Sequence, residues 1–334
     1  MKKIGILFGQ ENTFPHAFVD RVNAKKPEGI VAEWVRIDKV IQAETDAYAV
    51  IIDRISQDIP FYRTYLKNAA LSGTAVINNP FWWTADDKFF NNGLAEKIGV
   101  AVPRSVLLPA NQHPPKTDSN SMRNLAYPLD WESIFDYVGF PAYLKPYSGG
   151  GWKNVYRVRD AGEFYDVYNQ TGDLVMMLQE EIIFSDYFRC YCIDRKDVRI
   201  MAYEPRNPAH LRYVTEPSAE AADLMDEMEA AVLQLNRALG YDFNTVELAV
   251  REGVPYAIDF CNPAPDADYH SVQPDNFEWV VEATANMAIR RARAHREGRN
   301  NLTWGEFIQS FVKDQWPLES PSTITQPGQA GIED

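Results

Sequence analysis

The chain has 334 residues, long enough for two or three packed units. Its 46% hydrophobic and 13% aromatic content argues against disorder. A formal net charge of −14 disfavours nucleic acid and anionic membrane surfaces as partners.

The opening MKKIGILFG has two lysines and an apolar run, Ile4 to Phe8, with no small-residue cleavage site after it. A buried first strand over 3–8 is expected, not a signal peptide. No apolar stretch reaches the ~20 residues of a membrane span. A helix is predicted near 14–24, strands at 30–36 and 47–53, a helix at 60–71 closed by Gly73, and a short strand at 75–78. This alternation predicts a Rossmann-like α/β layer over residues 1–83. Gly5 and Gly9 sit at its first turn, but the absence of GxGxxG counts against a dinucleotide site. Trp82 and Trp83 are read as packing residues.

Residues 84–99 read as a helix, with Thr84 as N-cap, Asp86 and Asp87 in the first turn and Gly99 ending it. The polar stretch 108–130, with four prolines, reads as a long loop. Strands then dominate from 139 to 204: PAYLKPY, VYRV, LVMMLQEEI, and a hairpin of YFRCYCI and VRIMAY turning at 194–197, with a helix at 160–171. Residues 219–239 form an amphipathic helix with Leu224, Met228, Val232, Leu235 and Leu239 inward. A second helix at 276–296 turns Phe277, Val280, Val281, Met287 and Ala288 inward, with Thr284 the polar member of that stripe. Its basic end (Arg290, Arg291, Arg293, Arg296) suits a helix C-terminus and reads as a solvated face, with a ligand patch as the alternative. The tail after Pro317 is expected to be mobile.

Cys190, Cys192 and Cys261 show no metal spacing, and Cys190 and Cys192 share one face of their strand. Buried, reduced thiols and a cytoplasmic location are expected.

The stretch NTVELAVREGVPYAIDFCNPAPD, residues 244–266, reads as a hairpin turning at 251–255. Matching its apolar sets groups Val246, Leu248, Ile258 and Phe260, and leaves Glu247 and Asp259 on the opposite face. A turn centred on Gly253 sets the two acids directly opposite, where like charges destabilise a sheet. A hard divalent cation offsets that repulsion; two acids facing water is the plainer alternative.

In PAYLKPYSGGGWKNVYRV, residues 141–158, Lys145 lies on a short strand ahead of Ser148, Gly149, Gly150 and Gly151. Successive glycines present backbone N–H groups without side-chain bulk, as a loop over phosphates requires. A plain flexible turn is the alternative, and no Walker A motif is present.

In this order the segments resemble the ATP-grasp superfamily across roughly residues 1–300. The resemblance implies a Rossmann-like preceding domain (1–83), a small lobe with the lysine strand and glycine loop (84–178), a large lobe with the metal-binding hairpin (179–316) and a tail (317–334). It implies that Lys88 and Lys145 reach the nucleotide phosphates beneath the loop of Ser148 and Gly149 to Gly151. MLQEEI, residues 177–182, resembles the interlobe hinge, so Glu180, Glu181 and Ile182 would meet the adenine, with Asp186 as the ribose acid. Arg189 and Arg206 match arginines that act on the transferring phosphate and the substrate. Glu247 and Asp259 match the two acidic metal ligands. Many members carry an Asn two residues after the second acid. Here Cys261 has that spacing, and a bulge before Pro263 would be needed to turn Asn262 inward as a third ligand.

The implied activity is that of an ADP-forming ligase using ATP and magnesium, or manganese in its place. It would activate a small-molecule or peptide carboxylate as an acyl phosphate for attack by an amine or other nucleophile. Trp152, Lys153, His210, Tyr213 and His270 are candidates for the acceptor pocket. A kinase-like phosphotransferase and a non-catalytic ATP-binding module of the same fold are the alternatives, and a homo-oligomer is among the partner expectations.

Overall fold

A computed structural model describes residues 1–44, 47–81, 87–208, 211–214, 217–296 and 301–302. In chain order the elements are β1 (Lys2–Leu7), α1 (Phe14–Ala24), β2 (Ile30–Trp34), β3 (Tyr48–Asp53), α2 (Pro60–Leu71), β4 (Ala75–Ile77), α3 (Lys88–Lys97), β5 (Ser105–Leu108), α4 (Trp131–Val138), β6 (Ala142–Pro146), β7 (Tyr156–Val158), α5 (Ala161–Tyr168), β8 (Met176–Glu180), β9 (Asp186–Ile193) and β10 (Asp197–Ala202). Then follow α6 (Ala219–Ala222), α7 (Met225–Leu239), β11 (Phe243–Arg251), β12 (Val254–Asp259), α8 (Tyr269–Val272) and α9 (Pro274–Ala294).

The strands form three four-stranded sheets. The first, ordered β2-β1-β3-β4, is parallel. Its strand β3 is almost wholly buried, because helices cover both faces: α1 and α9 on one, α2 on the other. The second sheet, β5-β8-β6-β7, is antiparallel and packs on the aromatic side chains of α4 and α5, among them Trp131, Phe135 and Phe164. The third, β10-β9-β11-β12, is also antiparallel. One face lies on α3 and α7 through Val246, Leu248, Met228 and Val232; the other looks toward α9 and the first sheet.

The predicted 219–239 helix is divided. Residues 219–222 form α6, capped by Ser218, and α7 starts after Leu224, which is its N-cap and still packs against the core. Met228, Val232, Leu235 and Leu239 are buried as the period required. Helix α3 begins at Lys88, with the Asp87 carboxylate accepting from the Phe90 N–H at 2.8 Å, so Asp87 is its cap; Thr84 and Asp86 lie outside the described residues. Trp82, Trp83, His210 and the tail from 317 also lie outside them. The basic end of α9 is not simply solvated: Arg290 pairs with Asp194 and Asp197, and Arg291 with Asp194 and Asp242. The three cysteines are buried, and burial pushes the Cys190 and Cys192 thiols up, the latter to about 12. No described helix is long and apolar enough to cross a membrane.

Candidate active site

The hairpin of β11 and β12 turns tightly, since Arg251 pairs with Val254 across Glu252 and Gly253, both at positive φ (52° and 73°). Ladder pairing then runs regularly to Leu248 opposite Ala257, where the register shifts and Glu247 faces Asp259. Ile258 is the extra residue of this bulge. Simple alternation from Ala257 would send Ile258 to the cleft face and Asp259 to the apolar face. Instead Ala257 and Phe260 join the core beneath the sheet, while Ile258 and Asp259 both line the cleft. The expected grouping of Ile258 with Val246 and Leu248 is therefore corrected, although the two acids do stand opposite each other.

The cleft has a volume of about 480 Å³, within the range of small-molecule sites. It lies between the second and third sheets. Lys88, Lys145, Ser148, Gly149, Gly150, Gly151, Glu180, Glu181, Ile182, Arg206, Glu247 and Asp259 all line it. Residues separated by more than a hundred positions thus meet in one space.

Lys145 projects from β6 and donates to Gln179 Oε1 at 2.7 Å; Gln179 Nε2 in turn donates to Ser105 Oγ at 3.0 Å. Burial, and then the neighbouring Lys88 charge, lower the Lys145 ammonium from 10.5 to about 8. Lys88 reaches across from α3, with Nζ 3.6 Å from Asp259 Oδ1, and its backbone N–H donates to Tyr147 O at 2.7 Å. Glu247 accepts from the Tyr187 hydroxyl at 2.6 Å, while Arg189 Nε lies 3.8 Å from Glu247 Oε1, too far for a hydrogen bond. Burial raises the Glu247 carboxyl; Arg189 opposes this and Asp259 adds to it. A divalent cation shared by Glu247 and Asp259 would relieve both the burial cost and the repulsion, so the donor set fits a hard cation. Among the described residues no group of three or more His, Cys, Asp or Glu side chains could hold a metal by itself, so a cation here must take further oxygens from a ligand or water.

The loop after β6 leaves its glycines exposed, with Gly149 and Gly151 at φ of 89° and 70°. A Cβ at any of the three glycines would meet nothing within 4 Å, so the loop is open on its outer side. The hinge acids are ion-paired. Glu180 Oε2 accepts from Arg104 Nε at 3.1 Å and Oε1 from Arg251 Nη1 at 2.7 Å. Glu181 accepts from Arg157 Nε at 2.9 Å and from the Tyr143 hydroxyl at 3.4 Å.

The remaining expected site residues are placed as follows. The Asp186 carboxylate is held by Ser218, accepting from its N–H at 2.9 Å and its hydroxyl at 2.8 Å, and Asp186 is not on the cleft wall. Asn262 donates its amide to Thr245 O at 3.1 Å, and its backbone N–H to Asn244 Oδ1 at 2.9 Å. The bulge sits at Ile258 and not before Pro263, so Asn262 is not turned into the cleft. Arg189 lies behind Glu247, its guanidinium 5.7 Å from the Tyr203 ring centre. Arg206 is at the rim, paired with Glu204 and stacked 4.6 Å from Phe184.

Of the acceptor candidates, Trp152 and Lys153 line the cleft, Tyr213 is buried and His270 is exposed. Sequence reading missed Tyr187 and Gln179. Both were reachable by two-residue alternation: Tyr187 shares the face of Arg189, and Gln179 precedes Glu180 on the strand facing Lys145.

No family model matches the chain. A curated D-alanine–D-alanine ligase from Ralstonia nicotianae is 23% identical over 188 residues, which is 48% of this chain and 56% of that protein. The chain thus matches little more than half of that relative's length. Solved structures align more fully. A D-alanine–D-alanine ligase from Bacillus anthracis complexed with ATP covers 88% of this chain and 98% of its own, at 16% identity and TM-score 0.56. The VanG D-Ala:D-Ser ligase from Enterococcus faecalis covers 87% and 99%, at 13% identity and TM-score 0.59. The ATP-grasp ligase PsnB, complexed with minimal precursor, Mg and ADP, covers 86% and 97%, at 15% identity and TM-score 0.56. The chain has the fold of the ATP-grasp ligases.

Proposed function

We propose that this protein is an ATP- and magnesium-dependent ligase that activates a small-molecule or peptide carboxylate for attack by an amine or other nucleophile, releasing ADP. The observation that carries this reading is the opposition of Glu247 and Asp259 on one wall of a cleft whose other wall presents Lys145 and the glycine loop. Glu247 and Asp259 would hold the magnesium, and manganese would serve in its place. Magnesium supplies a Lewis acid that draws charge from the phosphate oxygens.

The chain's own residues do the rest. Lys88 and Lys145 offset phosphate charge from opposite sides. Ser148 and Gly149 to Gly151 close over the phosphates and exclude water from an acyl phosphate. Ile182 and the hinge backbone meet the base, with Glu180 and Glu181 fixing the hinge through their arginine pairs. Arg189, behind Glu247, and Arg206, at the rim, would stabilise charge that spreads over the transferring group. In this reading residues 1–83 are a Rossmann-like preceding domain, 84–178 the small lobe and 179–316 the large lobe.

The test is hydroxamate formation from ATP, magnesium and hydroxylamine across a panel of carboxylates and amino acids. A carboxylate-dependent hydroxamate is expected. ADP release into a phosphorylated alcohol, with no hydroxamate, would overturn the ligase reading in favour of a kinase-like transfer.

A further inference from the structure

Lys145 and the hinge are joined by one row of side chains on the cleft face of the second sheet. Tyr143 stands two residues before Lys145 on β6, with Arg157 of β7 opposite it on one side and Gln179 of β8 on the other, so these side chains share a face. Ala142, the next residue back, pairs with Glu180, and the Glu181 N–H donates to Pro141 O. The step from Lys145 to Tyr143 and Arg157 thus runs about 7 Å from the phosphate end toward the hinge. Arg157, Tyr143, Glu180 and Glu181 all line the cleft.

Each carboxylate oxygen of the two hinge acids already accepts from an arginine. Glu180 Oε1 takes Arg251 Nη1, and Oε2 takes Arg104 Nε. Both Glu181 oxygens take Arg157 Nε, at 3.0 and 2.9 Å, and Arg157 Nη2 lies 2.8 Å from Glu181 Oε2. These contacts use one edge of the Arg157 guanidinium, that of Nε and Nη2. The other edge, of Nη1 and the second Nη2 hydrogen, presents two parallel donors and bonds no acceptor among the described residues. The Arg157 side chain is 44% exposed, so a ligand in the cleft can reach that edge. The side chains at the hinge therefore offer a base a pair of donors, while every carboxylate oxygen there is engaged.

We infer that the hinge end of the cleft takes 6-oxopurine nucleotides, those of guanine or hypoxanthine, in preference to adenine nucleotides, through the outward edge of Arg157. This rests on the ligase reading and extends it to the choice of nucleotide. A 6-oxopurine carries two neighbouring acceptors, O6 and N7, at the spacing a guanidinium edge meets with two parallel bonds. Adenine has an amino donor in place of O6. Set against Arg157, it meets donor with donor, and the Glu181 oxygens that could receive it are held by that same arginine. The hinge backbone and Ile182 still serve adenine, so ATP is retained as a substrate, and the 6-oxopurine gains two further bonds.

The probes are ADP and IDP, which differ at the 6-position of the base, amino against oxo. Their affinities are measured by calorimetry in magnesium for the parent, Arg157→Met and Arg157→Lys. The parent should bind IDP more tightly than ADP, by about tenfold, the discrimination of one bidentate pair. Arg157→Met removes the edge and releases Glu181 to accept the amino group, so the preference should vanish or reverse. Arg157→Lys keeps the charge without the paired donors and should lose most of the preference. A purely structural part for Arg157 in holding the hinge would weaken both nucleotides together and leave their ratio unchanged. IDP bound no more tightly than ADP by the parent overturns the assignment, and so does a preference that survives Arg157→Met. Either result leaves the ligase reading standing, because ADP is still bound. A parent that binds neither nucleotide overturns both.

Discussion

Glu247 and Asp259 face each other across β11 and β12 only because Ile258 bulges out of the ladder between them and the turn. Without that extra residue the pairing would carry Asp259 into the core with Ala257. The bulge converts a hairpin with one apolar face into one that aims two charges into a cleft.

Replacing Glu247 with Gln removes one of two opposed charges. Magnesium-dependent turnover should fall by at least about 100-fold, since positioned electrostatics is the largest catalytic contribution in such sites. Metal-free stability should not fall, because like charges across a ladder oppose folding. Thermal unfolding in EDTA, beside a turnover assay in magnesium, reads both. A variant that turns over normally would remove Glu247 from the metal site.

Lys145 should make nucleotide binding pH-dependent. Its ammonium is lowered to about 8 by burial and by Lys88, so charging it costs the folded chain below that pH. This cost fades as pH rises from about 8 toward 10.5, so the nucleotide-free protein gains stability over that window. Bound phosphates favour the charged amine. Nucleotide binding near pH 8.5 should therefore take up a fraction of a proton, and affinity should weaken as pH rises further. Calorimetry in two buffers of different ionisation enthalpy measures the uptake, and Lys145→Met should abolish it.

Thr284 is fully buried in α9, and its hydroxyl has no hydrogen-bond partner. Thr284→Val preserves the shape and removes the stranded group, so the protein should become more stable by ~1 kcal/mol. Urea denaturation with an unchanged m-value is the measurement.

The two arginines on Glu180 should differ. Arg104 is 49% exposed and Arg251 28%, and Arg251 also stacks 4.5 Å from the Tyr256 ring. Arg104→Ala should cost less than about 1 kcal/mol, as exposed pairs do. Arg251→Ala should cost more, because it also loses the cation–π contact and leaves one Glu180 oxygen less satisfied. Equal losses in chemical denaturation would refute this ranking.

Much of the chain declared itself locally. The apolar runs of β1 and β3, the period of α7 and α9, and the glycines after Lys145 follow from short-range rules: a strand buried on both faces is apolar throughout, and a helix repeats its inward side every third or fourth residue. The opposition of Glu247 and Asp259 was legible from matched apolar sets and a turn centred on Gly253, whereas the turn that forms is at Glu252 and Gly253 and the bulge restores the pairing. The bulge at Ile258 was not, because it depends on which of Ala257 and Ile258 fills the space above α7, and that is settled by packing. Asp186 and Asn262 had the right chemistry in plausible places, yet Ser218 and Thr245 claimed them through contacts the sequence order does not encode. Burial decided the rest. A lysine or a threonine carries the same letter wherever it falls. Only the fold brought Lys145 beside Lys88 and left the hydroxyls of Thr245 and Tyr213 without water or partner.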